Sequence, residues 1–467
     1  MNPTDLGLLD VPDDRRLADN VHPSTWTNPT AAGVYDLVAI GGGAAGLVSS
    51  IGAAGLGARV ALVERHLLGG DCLVTGCVPS KAVLHGARAG LSFDETMERM
   101  RQLRADISRH DSARRFTEAG VDVFLGDARF TGPDRLDVAG QTLRFKRAVI
   151  ATGARPRTLD GIDALTSEAI FNLTERPERL VVIGAGPIGC ELAQAFSRLG
   201  SQVTVVSLDD EVLPWEDPDA RALVQNALVR DGVTLCLGAR VLRTEGDILV
   251  FDRGQGEERV PSDSRLLAVG RVPNTDLGLE AAGVAFDARG VTVDHRLRTT
   301  NRRIYAAGDV IGGGFTHAAD AHARIVLRNA LFFGRASRED LVVPACTYTF
   351  PEVATVGRMD AGTAFRVDLS EVDRSVLDGE NEGFAKVWVA DNGRILGATV
   401  VAKGAGELIA PAVLAMTEGL KLGALGGAIV PYPTRTDVWR RLAGAWNRTR
   451  LTERARAWLR RWFRWLR

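Results

Sequence analysis

The sequence predicts an α/β protein with two Rossmann-like dinucleotide-binding domains and a C-terminal α+β domain. Two glycine-rich turns, each lying between an apolar strand and a helix, predict the nucleotide domains. The turns lie about 140 residues apart and therefore form an internal repeat. A change to alternating short strands after residue 342 predicts the separate third domain.

Length, charge and cysteine content narrow the functional classes. At 467 residues about two to four domains are expected, and 45% hydrophobic with 25% charged residues is typical of a globular protein in water. A net charge of −1 does not favour a nucleic-acid partner for the body of the protein. The N-terminus lacks the apolar stretch of a secretory signal, and the apolar runs are too short to span a bilayer. Five cysteines do not make a disulfide framework, so a cytoplasmic protein is expected.

Periodicity places the elements and the domain boundaries. The predicted elements are strands over 35–40, 58–64, 146–154 and 303–309, a small-residue helix over 47–57, helical sequence over roughly 91–119, a strand–turn–helix–strand repeat over 179–207, and a helix ending near 333. The predicted segments are an N-terminal arm (1–34), the first nucleotide domain in two parts (35–156 and 287–340), the second nucleotide domain (157–286), the α+β domain (341–445) and a basic amphipathic tail helix (446–467).

The first glycine-rich turn has the spacing of a dinucleotide site. Gly41, Gly43 and Gly46 form G-x-G-x-x-G directly after a strand and at the start of a helix. The first glycine permits the turn, the second lets the backbone approach a pyrophosphate, and the third lets helix and strand pack closely. Glu64 ends the second strand, where a carboxylate can bind both ribose hydroxyls.

The second turn repeats this motif with a different residue at the end of its second strand. Gly184, Gly186 and Gly189 have the same spacing, but Ser207 stands where the acid would be. A ribose 2′-phosphate would require Arg or Lys nearby, and none occurs before Arg221. The sequence therefore favours NADH over NADPH.

A close cysteine pair follows the first nucleotide motif, in "GGDCLVTGCVPSKAVL" over 69–84. Four residues separate Cys72 from Cys77, and Gly76 permits a loop that brings both thiols within disulfide distance. Cys77 is then expected in the first turn of a helix that runs through Lys81. The helix dipole and the ammonium group both favour a thiolate, so the pKa of Cys77 should fall below its usual value of about 8.5.

A structural disulfide and half of a zinc site are the alternatives for this pair. Structural disulfides are uncommon in the cytoplasm, and zinc would require C-x2-C spacing with further ligands. His66 and His85 are near in sequence, but there is no second cysteine pair. Redox function is favoured because a nucleotide site flanks the pair. The other cysteines are interpreted as small core residues: Cys190, Cys236 and Cys346.

With these motifs the chain resembles the class I pyridine nucleotide–disulfide oxidoreductases, which include glutathione reductase, dihydrolipoamide dehydrogenase and mercuric reductase. The resemblance covers about residues 35–445, and the mercuric reductase-like branch is the nearest. It implies an FAD-dependent NAD(P)H oxidoreductase that forms a homodimer through its third domain. It also implies an electron path from NAD(P)H through FAD to a Cys72–Cys77 disulfide and on to a small-molecule acceptor.

The resemblance assigns roles residue by residue. Cys77 would be the thiolate in contact with the flavin, Cys72 the exchanging thiol, and Lys81 would lie near the flavin N5 edge, paired with Glu191. Asp309 would bind the ribityl chain. The implied FAD contacts are Gly41, Gly43, Ala44, Ala45, Gly46, Glu64, Lys81, Ala151, Thr152 and Gly153. The implied NAD(P)H contacts are Gly184, Gly186, Ile188, Gly189, Ser207 and Gly270.

Two departures from the family pattern leave the acceptor open. Disulfide reductases of this family carry a C-terminal histidine that protonates the leaving thiol, and such a step is worth about 10²–10⁴-fold in rate. Here Val430 takes its place, Asp437 takes that of its carboxylate partner, and no histidine follows His322. Mercuric reductase also lacks the histidine and keeps a tyrosine, which Tyr432 matches as a catalytic candidate. Its C-terminal cysteine pair, however, has no counterpart after Cys346.

Three functions therefore stay open: a mercuric reductase-like enzyme, a disulfide reductase of the dihydrolipoamide dehydrogenase type, and a flavoprotein without turnover that acts as a membrane-associated sensor. No resident metal site is expected, and Hg(II) would bind only Cys72 and Cys77. Asp437 is either a remnant of the lost pair or an ordinary surface carboxylate.

The tail over 447–467, "NRTRLTERARAWLRRWFRWLR", carries eight arginines and one glutamate. This composition is typical of a helix lying in a membrane interface. Packing on the protein's own surface or on the partner subunit is favoured, because most apolar stripes are packing faces. Nucleic-acid binding by the arginines has weaker support. The apolar residues at helical spacing are Leu451, Ala455, Trp458, Leu459, Trp462 and Leu466.

Overall fold

The computed structural model describes residues 3–31 and 33–467, which form two compact units. The first unit comprises the chain up to residue 210 together with residues 231–341. The second unit comprises residues 211–230 and 342–467. The segment 211–230, which the sequence analysis assigns to the second nucleotide domain, therefore groups with the C-terminal part of the chain.

The elements follow in chain order. The helices are α1 (Pro12–Val21), α2 (Ala44–Gly55), α3 (Gly70–Val74), α4 (Cys77–Ala89), α5 (Phe93–Ser108), α6 (Ala113–Glu118), α7 (Pro187–Arg198), α8 (Pro218–Arg230), α9 (Thr316–Leu331), α10 (Asp373–Leu377), α11 (Ala405–Leu408), α12 (Ala410–Thr417), α13 (Leu422–Gly427), α14 (Asp437–Thr449) and α15 (Glu453–Trp465). The strands as far as the second nucleotide motif are β1 (Val34–Ile40), β2 (Val60–Glu64), β3 (Val121–Leu125), β4 (Ala128–Gly132), β5 (Arg135–Val138), β6 (Gln141–Ile150), β7 (Ala154–Pro156), β8 (Arg179–Ile183) and β9 (Gln202–Val206). The later strands are β10 (Thr234–Cys236), β11 (Arg240–Glu245), β12 (Ile248–Asp252), β13 (Glu257–Pro261), β14 (Ser264–Leu267), β15 (Arg271–Pro273), β16 (Phe286–Asp287), β17 (Gly290–Val291), β18 (Ile304–Ala306), β19 (Ala345–Thr347), β20 (Glu352–Gly357), β21 (Thr363–Asp368), β22 (Phe384–Val389) and β23 (Ile395–Ala402).

A seven-stranded sheet carries the first nucleotide motif. Its order is β3-β2-β1-β6-β5-β4, and β18 also pairs with β6. The strands β3, β2, β1, β6 and β18 are parallel, whereas β4 and β5 join antiparallel. Successive side chains of β1 enter different cores, Leu37 and Ala39 on one face and Val38 and Ile40 on the other. Because both faces are covered, β1 and β6 are apolar where they reach the nucleotide motif, with the sequences LVAI and AVI.

The second nucleotide motif belongs to a smaller sheet. The strands β10-β9-β8-β14 pair in parallel, and α7 connects β8 to β9. An antiparallel sheet of β11-β12-β13 follows in the same unit. Each glycine-rich turn thus lies at the carboxyl end of a parallel strand, where open α/β sheets bind ligands.

The N-terminal segment contains a helix that the sequence analysis does not predict. Leu17 and Val21 of α1 are fully buried in the core of the first unit. Asp14 of the same helix is also buried and forms an ion pair of 2.6 Å with Arg104 of α5. This segment is therefore packed into the unit.

The second unit contains a five-stranded antiparallel sheet in the order β19-β20-β23-β22-β21. One of its faces forms a core with α14, to which Trp439 and Trp446 contribute. In the part of the chain that the structure describes, no helix combines the length and the apolar character needed to cross a bilayer.

Each strand and helix predicted for the nucleotide domains has a counterpart among these elements, with the helical stretch 91–119 divided into α5 and α6. Further strands, which include β3–β5 and β10–β17, were not predicted. The predicted helix beginning at Cys77 is confirmed as α4. Cys72 lies in the short helix α3, where the sequence analysis expects a loop.

Candidate active site

The first glycine-rich turn combines two crowded glycines with one open glycine. Gly41 has a φ of +105°, and a Cβ on Gly46 would collide with the carbonyl oxygen of Gly41. These two glycines are therefore required by the packing of the turn itself. A Cβ on Gly43 would meet nothing within 4 Å. Gly43 thus borders open space in front of α2, whose N-terminal amides begin at Ala44 and Ala45.

Glu64 is held against this turn. Its side chain is buried at the end of β2, and one carboxylate oxygen accepts a hydrogen bond of 2.5 Å from the amide of Gly42. The other oxygen accepts one of 2.7 Å from the amide of His66. The carboxylate is therefore fixed at the strand end where the sequence analysis expects a ribose contact.

The second turn has the same construction. Gly184 has a φ of +108°, a Cβ on Gly189 would collide with its carbonyl oxygen, and Gly186 borders open space. Ile188 lies in the first turn of α7 and is 42% exposed. Ser207 is buried beyond β9, and its hydroxyl accepts a hydrogen bond of 3.3 Å from the next-but-one amide.

The segment after β6 is tied to a distant loop. The amide of Ala151 donates to the carbonyl of Ile40, and the hydroxyl of Thr152 donates 2.7 Å to the carbonyl of Asn274. The amide of Asn274 in turn donates to Gly153, which has a φ of +66°. Gly270, with a φ of +96°, lies just before the short strand β15 that leads to Asn274.

The cysteines lie on adjacent helices. Cys72 is in α3 and Cys77 is the first residue of α4, so Cys77 stands at the positive end of that helix dipole. Cys72 and Cys77 are both thiols in this structure and are not joined by a disulfide bond. The Cys77 sulfur lies 3.4 Å from the hydroxyl of Thr316, the first residue of α9.

The two thiols have opposite protonation tendencies. A hydrogen bond from Cys72, another from Thr316 and the positive charge of Lys81 lower the pKa of Cys77 to about 6, although burial opposes them. The hydrogen bond to Cys77, burial and the charge on Cys77 raise the pKa of Cys72. The pair therefore holds one thiolate at Cys77 and one proton at Cys72 near neutral pH.

Lys81 is positioned by a carboxylate on another helix. Its ammonium donates to Glu191 of α7 over 2.8 Å, and the Glu191 side chain is only 4% exposed. This pair joins the cysteine-bearing helix α4 to the helix of the second nucleotide motif. The predicted pairing of Lys81 with Glu191 is thus present in the structure.

Asp309 and Arg271 form a second charged group near the cysteines. Burial raises the pKa of Asp309, and the positive charge of Arg271 opposes the shift. Arg271 pairs with Asp71, the residue before Cys72, and also donates to the carbonyl of Ala154. Arg271 therefore links α3, which carries Cys72, to the segment after β6.

The sequence analysis missed Thr316, Arg271 and Asp71 as site residues. Thr316 and Arg271 lie 239 and 200 residues along the chain from their partners, so no local pattern connects them. Arg271 could have been singled out because it directly follows Gly270. Asp71 lies inside the cysteine motif, where an acid would disfavour a thiolate unless a cation pairs with it.

Tyr432 belongs to the second unit. Its hydroxyl donates to Asp373 over 2.8 Å and its side chain is 78% exposed, and the negative charge of Asp373 raises its pKa. Asp437 begins α14 and forms ion pairs of 2.6 Å with Arg440 and Arg441. These pairs favour a structural role for Asp437 over that of a catalytic remnant.

Comparison with known proteins identifies relatives over most of the chain. The family described as "Pyridine nucleotide-disulphide oxidoreductase" matches residues 35–324, and its dimerisation domain matches residues 343–443. The mercuric reductase of Bacillus cereus is 34% identical over 442 residues, which cover 86% of this chain and 70% of that protein. The dihydrolipoyl dehydrogenase of Thermus scotoductus is 35% identical over 441 residues, which cover 86% and 95%.

Solved structures show the same fold. The HOCl-induced flavoprotein disulfide reductase RclA from Escherichia coli superposes with a TM-score of 0.79 at 28% identity, covering 88% of this chain and 99% of that one. A Cu(II) complex of the same reductase gives 0.81 at 27% identity, with 89% and 100% covered. LpdA from Mycobacterium tuberculosis gives 0.81 at 28% identity, with 88% and 100% covered.

Proposed function

Because the chain belongs to the class I pyridine nucleotide–disulfide oxidoreductases, we propose that Cys72 and Cys77 pass electrons from NAD(P)H to a thiophilic acceptor. Enzymes of this family bind FAD and use NAD(P)H. Bound FAD supplies the chemistry that turns hydride transfer from NAD(P)H into reduction of a disulfide. The observation that carries the proposal is the pair of thiols, Cys72 in α3 and Cys77 at the start of α4, whose pKa shifts are opposite.

The first nucleotide domain fits FAD. The open space at Gly43 lies before the N-terminus of α2, a helix of 12 residues whose first amides favour a pyrophosphate. Glu64 offers a fixed carboxylate for the ribose, and the partly buried Asp309 offers an acceptor for hydroxyl groups. We therefore assign the predicted FAD contacts to this domain. We assign the predicted NAD(P)H contacts to the second nucleotide motif, which contains the turn at Gly186, and to its surroundings.

The two cysteines then have different roles. When the Cys72–Cys77 bond is reduced it takes up two electrons and one proton, and the sulfur–sulfur bond breaks. The negative charge stays on Cys77, because the hydrogen bonds and Lys81 favour it there, and the proton stays on Cys72. With FAD bound, Cys77 would accordingly be the thiolate beside it and Cys72 the thiol that meets the acceptor, and Lys81 is the residue that we propose for the N5 edge of the flavin.

We propose that the acceptor is a thiophilic metal ion. One Hg(II) would take both electrons, or two Cu(II) ions would take one each, while the Cys72–Cys77 disulfide forms again and Cys72 releases its proton. Cysteine sulfur atoms are the ligands that soft metals prefer. A metal acceptor has no leaving thiol, so it does not require the proton donor that Val430 replaces. Relatives named mercuric reductase and a structural relative solved as a Cu(II) complex support this choice.

A disulfide acceptor is the second candidate. The hydroxyl of Tyr432 could supply a proton in place of the missing histidine, and relatives named dihydrolipoyl dehydrogenase favour this chemistry. The bond from Tyr432 to Asp373 stabilises the protonated hydroxyl, which weakens it as an acid at neutral pH. Slow turnover with disulfides is therefore expected.

NADH is the proposed donor. The end of β9 presents Ser207, and Asp209 follows two residues later, so a ribose 2′-phosphate would meet a hydroxyl and a negative charge. That environment disfavours NADPH. We further propose an enzyme of the cytoplasm that forms a homodimer through the family's dimerisation domain in the second unit. The arginine-rich amphipathic tail over 447–467 is the segment that we propose contacts a membrane.

The thiol assignment is tested by spectroscopy of the holoenzyme. Two-electron reduction should produce the long-wavelength absorbance of a thiolate lying beside the flavin. Cys77→Ser should abolish this band with FAD still bound, whereas the matched variant Cys72→Ser should show it without reduction. If the band survives in Cys77→Ser, the assignment of the thiolate is wrong.

The acceptor is tested by steady-state oxidation of NADH and NADPH in parallel. Hg(II), Cu(II), lipoamide, glutathione disulfide and a quinone are compared as acceptors. We expect turnover with the metals, loss of that turnover in Cys72→Ser, and weak turnover with the disulfides. Disulfide turnover equal to that with metals would remove the metal proposal and favour the second candidate.

A further inference from the structure

The last helix, α15, lies outside the matched family domains. The dimerisation domain of the family matches residues 343–443, and α15 covers Glu453–Trp465. None of the nucleotide or thiol chemistry uses this helix. The function of α15 must therefore depend on properties of its own side chains.

The side chains of α15 and the two residues after it fall into two arcs when each residue advances about 100° around the axis. The apolar arc contains Trp458, Leu459, Trp462, Phe463, Trp465 and Leu466. The opposite arc contains Arg454, Arg456, Arg460, Arg461, Arg464 and Arg467. The sole acid of the helix, Glu453, pairs with Arg456 over 3.3 Å, so a strong positive charge remains.

The apolar arc is not packed against the unit that carries it. Every residue of α15 is described and none is buried, and Trp458 and Trp465 are 62% and 75% exposed. The rings contact one another instead, with centroids 5.9 Å apart for Trp458–Trp462 and 5.3 Å for Trp462–Trp465. A row of three exposed tryptophans of this kind marks an interaction surface.

The neighbouring helix α14 shows what a packing face looks like in the same unit. Its apolar side chains, which include Trp439, Leu442 and Trp446, are buried in the core of the sheet. The sequence analysis favours packing of the tail on the protein's own surface. The helix α14 packs in this way, whereas α15 does not.

We propose that α15 lies in the interface of an anionic lipid bilayer. Tryptophan prefers the headgroup level, where its ring is apolar and its N–H meets water, and leucine and phenylalanine enter the acyl boundary. The arginine arc faces the phosphates, to which its charge is complementary. This inference deepens the proposed membrane contact and does not depend on which acceptor the enzyme reduces.

Vesicle binding by the full-length holoenzyme tests the inference. The probes are vesicles of phosphatidylglycerol with phosphatidylcholine and vesicles of phosphatidylcholine alone. Binding should require phosphatidylglycerol, weaken with salt and shift the tryptophan fluorescence to shorter wavelength. Replacing Trp458, Trp462 and Trp465 together by Ala should weaken binding at least about 10-fold.

Two controls separate this surface from others. Trp215→Ala removes a tryptophan that is 78% exposed outside the tail and should bind like the parent protein. Arg460→Gln with Arg461→Gln should lower affinity for anionic vesicles by about 10-fold or more, because each basic residue near the surface contributes about 5-fold. Equal vesicle binding by the triple tryptophan variant and by Trp215→Ala would overturn the inference.

Two other outcomes would also overturn it. One is tail-dependent binding to a polyuridine probe with no binding to vesicles, which would assign the arginines to nucleic acid. The other is dissociation of the dimer on removal of residues 451–467, which would assign the tryptophans to a second copy. The thiolate–flavin band is recorded in the same samples, so failure of membrane binding is distinguishable from failure of the redox proposal.

Discussion

Lys81 and Glu191 act on the Cys77 thiol with opposite sign. The ammonium of Lys81 lowers the pKa of Cys77 and the carboxylate of Glu191 raises it, while their mutual hydrogen bond fixes both groups. The thiolate is present above a pH of about 6 and is lost as the pH falls through that value. The removal of either Lys81 or Glu191 should therefore change the pKa of Cys77, and the two changes should have opposite directions.

We predict that Lys81→Met raises the pKa of Cys77 and that Glu191→Gln lowers it. Removal of the positive charge disfavours the thiolate, and removal of the negative charge favours it. The measurement is the rate of alkylation of the reduced enzyme by iodoacetamide as a function of pH. The exposed carboxylate of Glu371, replaced by Gln, is the control; shifts of the same sign for both site variants would contradict the prediction.

The open glycines give a second prediction. Gly43→Ala and Gly186→Ala should fold normally, because a Cβ at either position meets nothing within 4 Å. Each methyl group would nevertheless occupy space that a pyrophosphate needs. We expect Gly43→Ala to lose FAD, seen as loss of flavin absorbance, and Gly186→Ala to keep FAD but to raise the KM for NADH at least about 10-fold.

Crowded glycines provide the matched control. Gly46→Ala would drive its Cβ into the carbonyl of Gly41, so its thermal unfolding midpoint should fall, unlike that of Gly43→Ala. Retention of FAD by Gly43→Ala would show that the cofactor does not approach this turn.

Single residues were predictable where a local pattern specifies them. The place of Cys77 at the first turn of a helix follows from spacing and from Gly76, and the structure has it there. The hydroxyl of Thr316 at 3.4 Å was not predictable, because it reaches Cys77 across 239 residues of chain. Local propensity carries no information about such pairs.

The helices α1, α3 and α5 share one buried connection. Arg104 of α5 forms an ion pair with Asp14 of α1 and donates 2.9 Å to the carbonyl of Val74, the last residue of α3. Arg104 and Asp14 are 1% and 0% exposed. The N-terminal segment, which precedes the matched family domain, thereby braces the helix that carries Cys72.

We predict that Asp14→Asn destabilises the first unit and raises the reactivity of Cys72. It leaves the buried guanidinium without a counter-charge, and breaking such a pair costs about 3–5 kcal/mol. A lower thermal midpoint, together with faster labelling of Cys72 in a Cys77→Ser background, is the expected result. Asn20→Ala, which removes a 2.8 Å bond from α1 to Ser108 but none to α3, should leave the labelling rate unchanged.

Equal rates of Cys72 labelling in the two variants would show that Asp14 contributes to stability only and does not influence Cys72.

The helix α1 was not predicted from the sequence, because short helices depend on tertiary packing more than on propensity. Its buried positions, such as Leu17 and Val21, are recognisable only once the core is known.

At the scale of the whole molecule, the dimerisation domain implies that two copies of the chain work together. The dimerisation domain indicates a homodimer, and we predict that Tyr432 completes the active site of the partner chain. Its side chain is 78% exposed on the second unit, so it is available to another copy.

We predict complementation between two defective subunits. The assay uses a disulfide acceptor, for which Tyr432 is the candidate proton donor. A Cys77→Ser subunit retains Tyr432, and a Tyr432→Phe subunit retains Cys77, so a mixed dimer contains one complete site if sites are shared. Turnover of the mixed dimer should approach half of the parent value and exceed that of both homodimers. Activity no higher than the average of the two homodimers would place each site within a single chain.

The domain order was predictable because each domain has its own periodicity. The grouping of residues 211–230 with the second unit was not predictable from the sequence. That segment has the composition of an ordinary surface helix, and its assignment depends on contacts with residues far along the chain. The two predicted functional turns, by contrast, need only the strand and helix that flank them.

The pairing of β18 with β6 imposes an order on biosynthesis. Ile304 pairs with Ala148, so the sheet of the first nucleotide domain stays incomplete until a segment about 150 residues downstream has left the ribosome. At about 5–20 residues per second that interval lasts on the order of 10–30 s. The inserted second nucleotide domain can fold during this wait, while the exposed side of β6 must be kept from aggregation. A chain whose synthesis stops in this interval would have a first nucleotide domain without Asp309. Such a chain would be a substrate for proteolysis before it could become an enzyme.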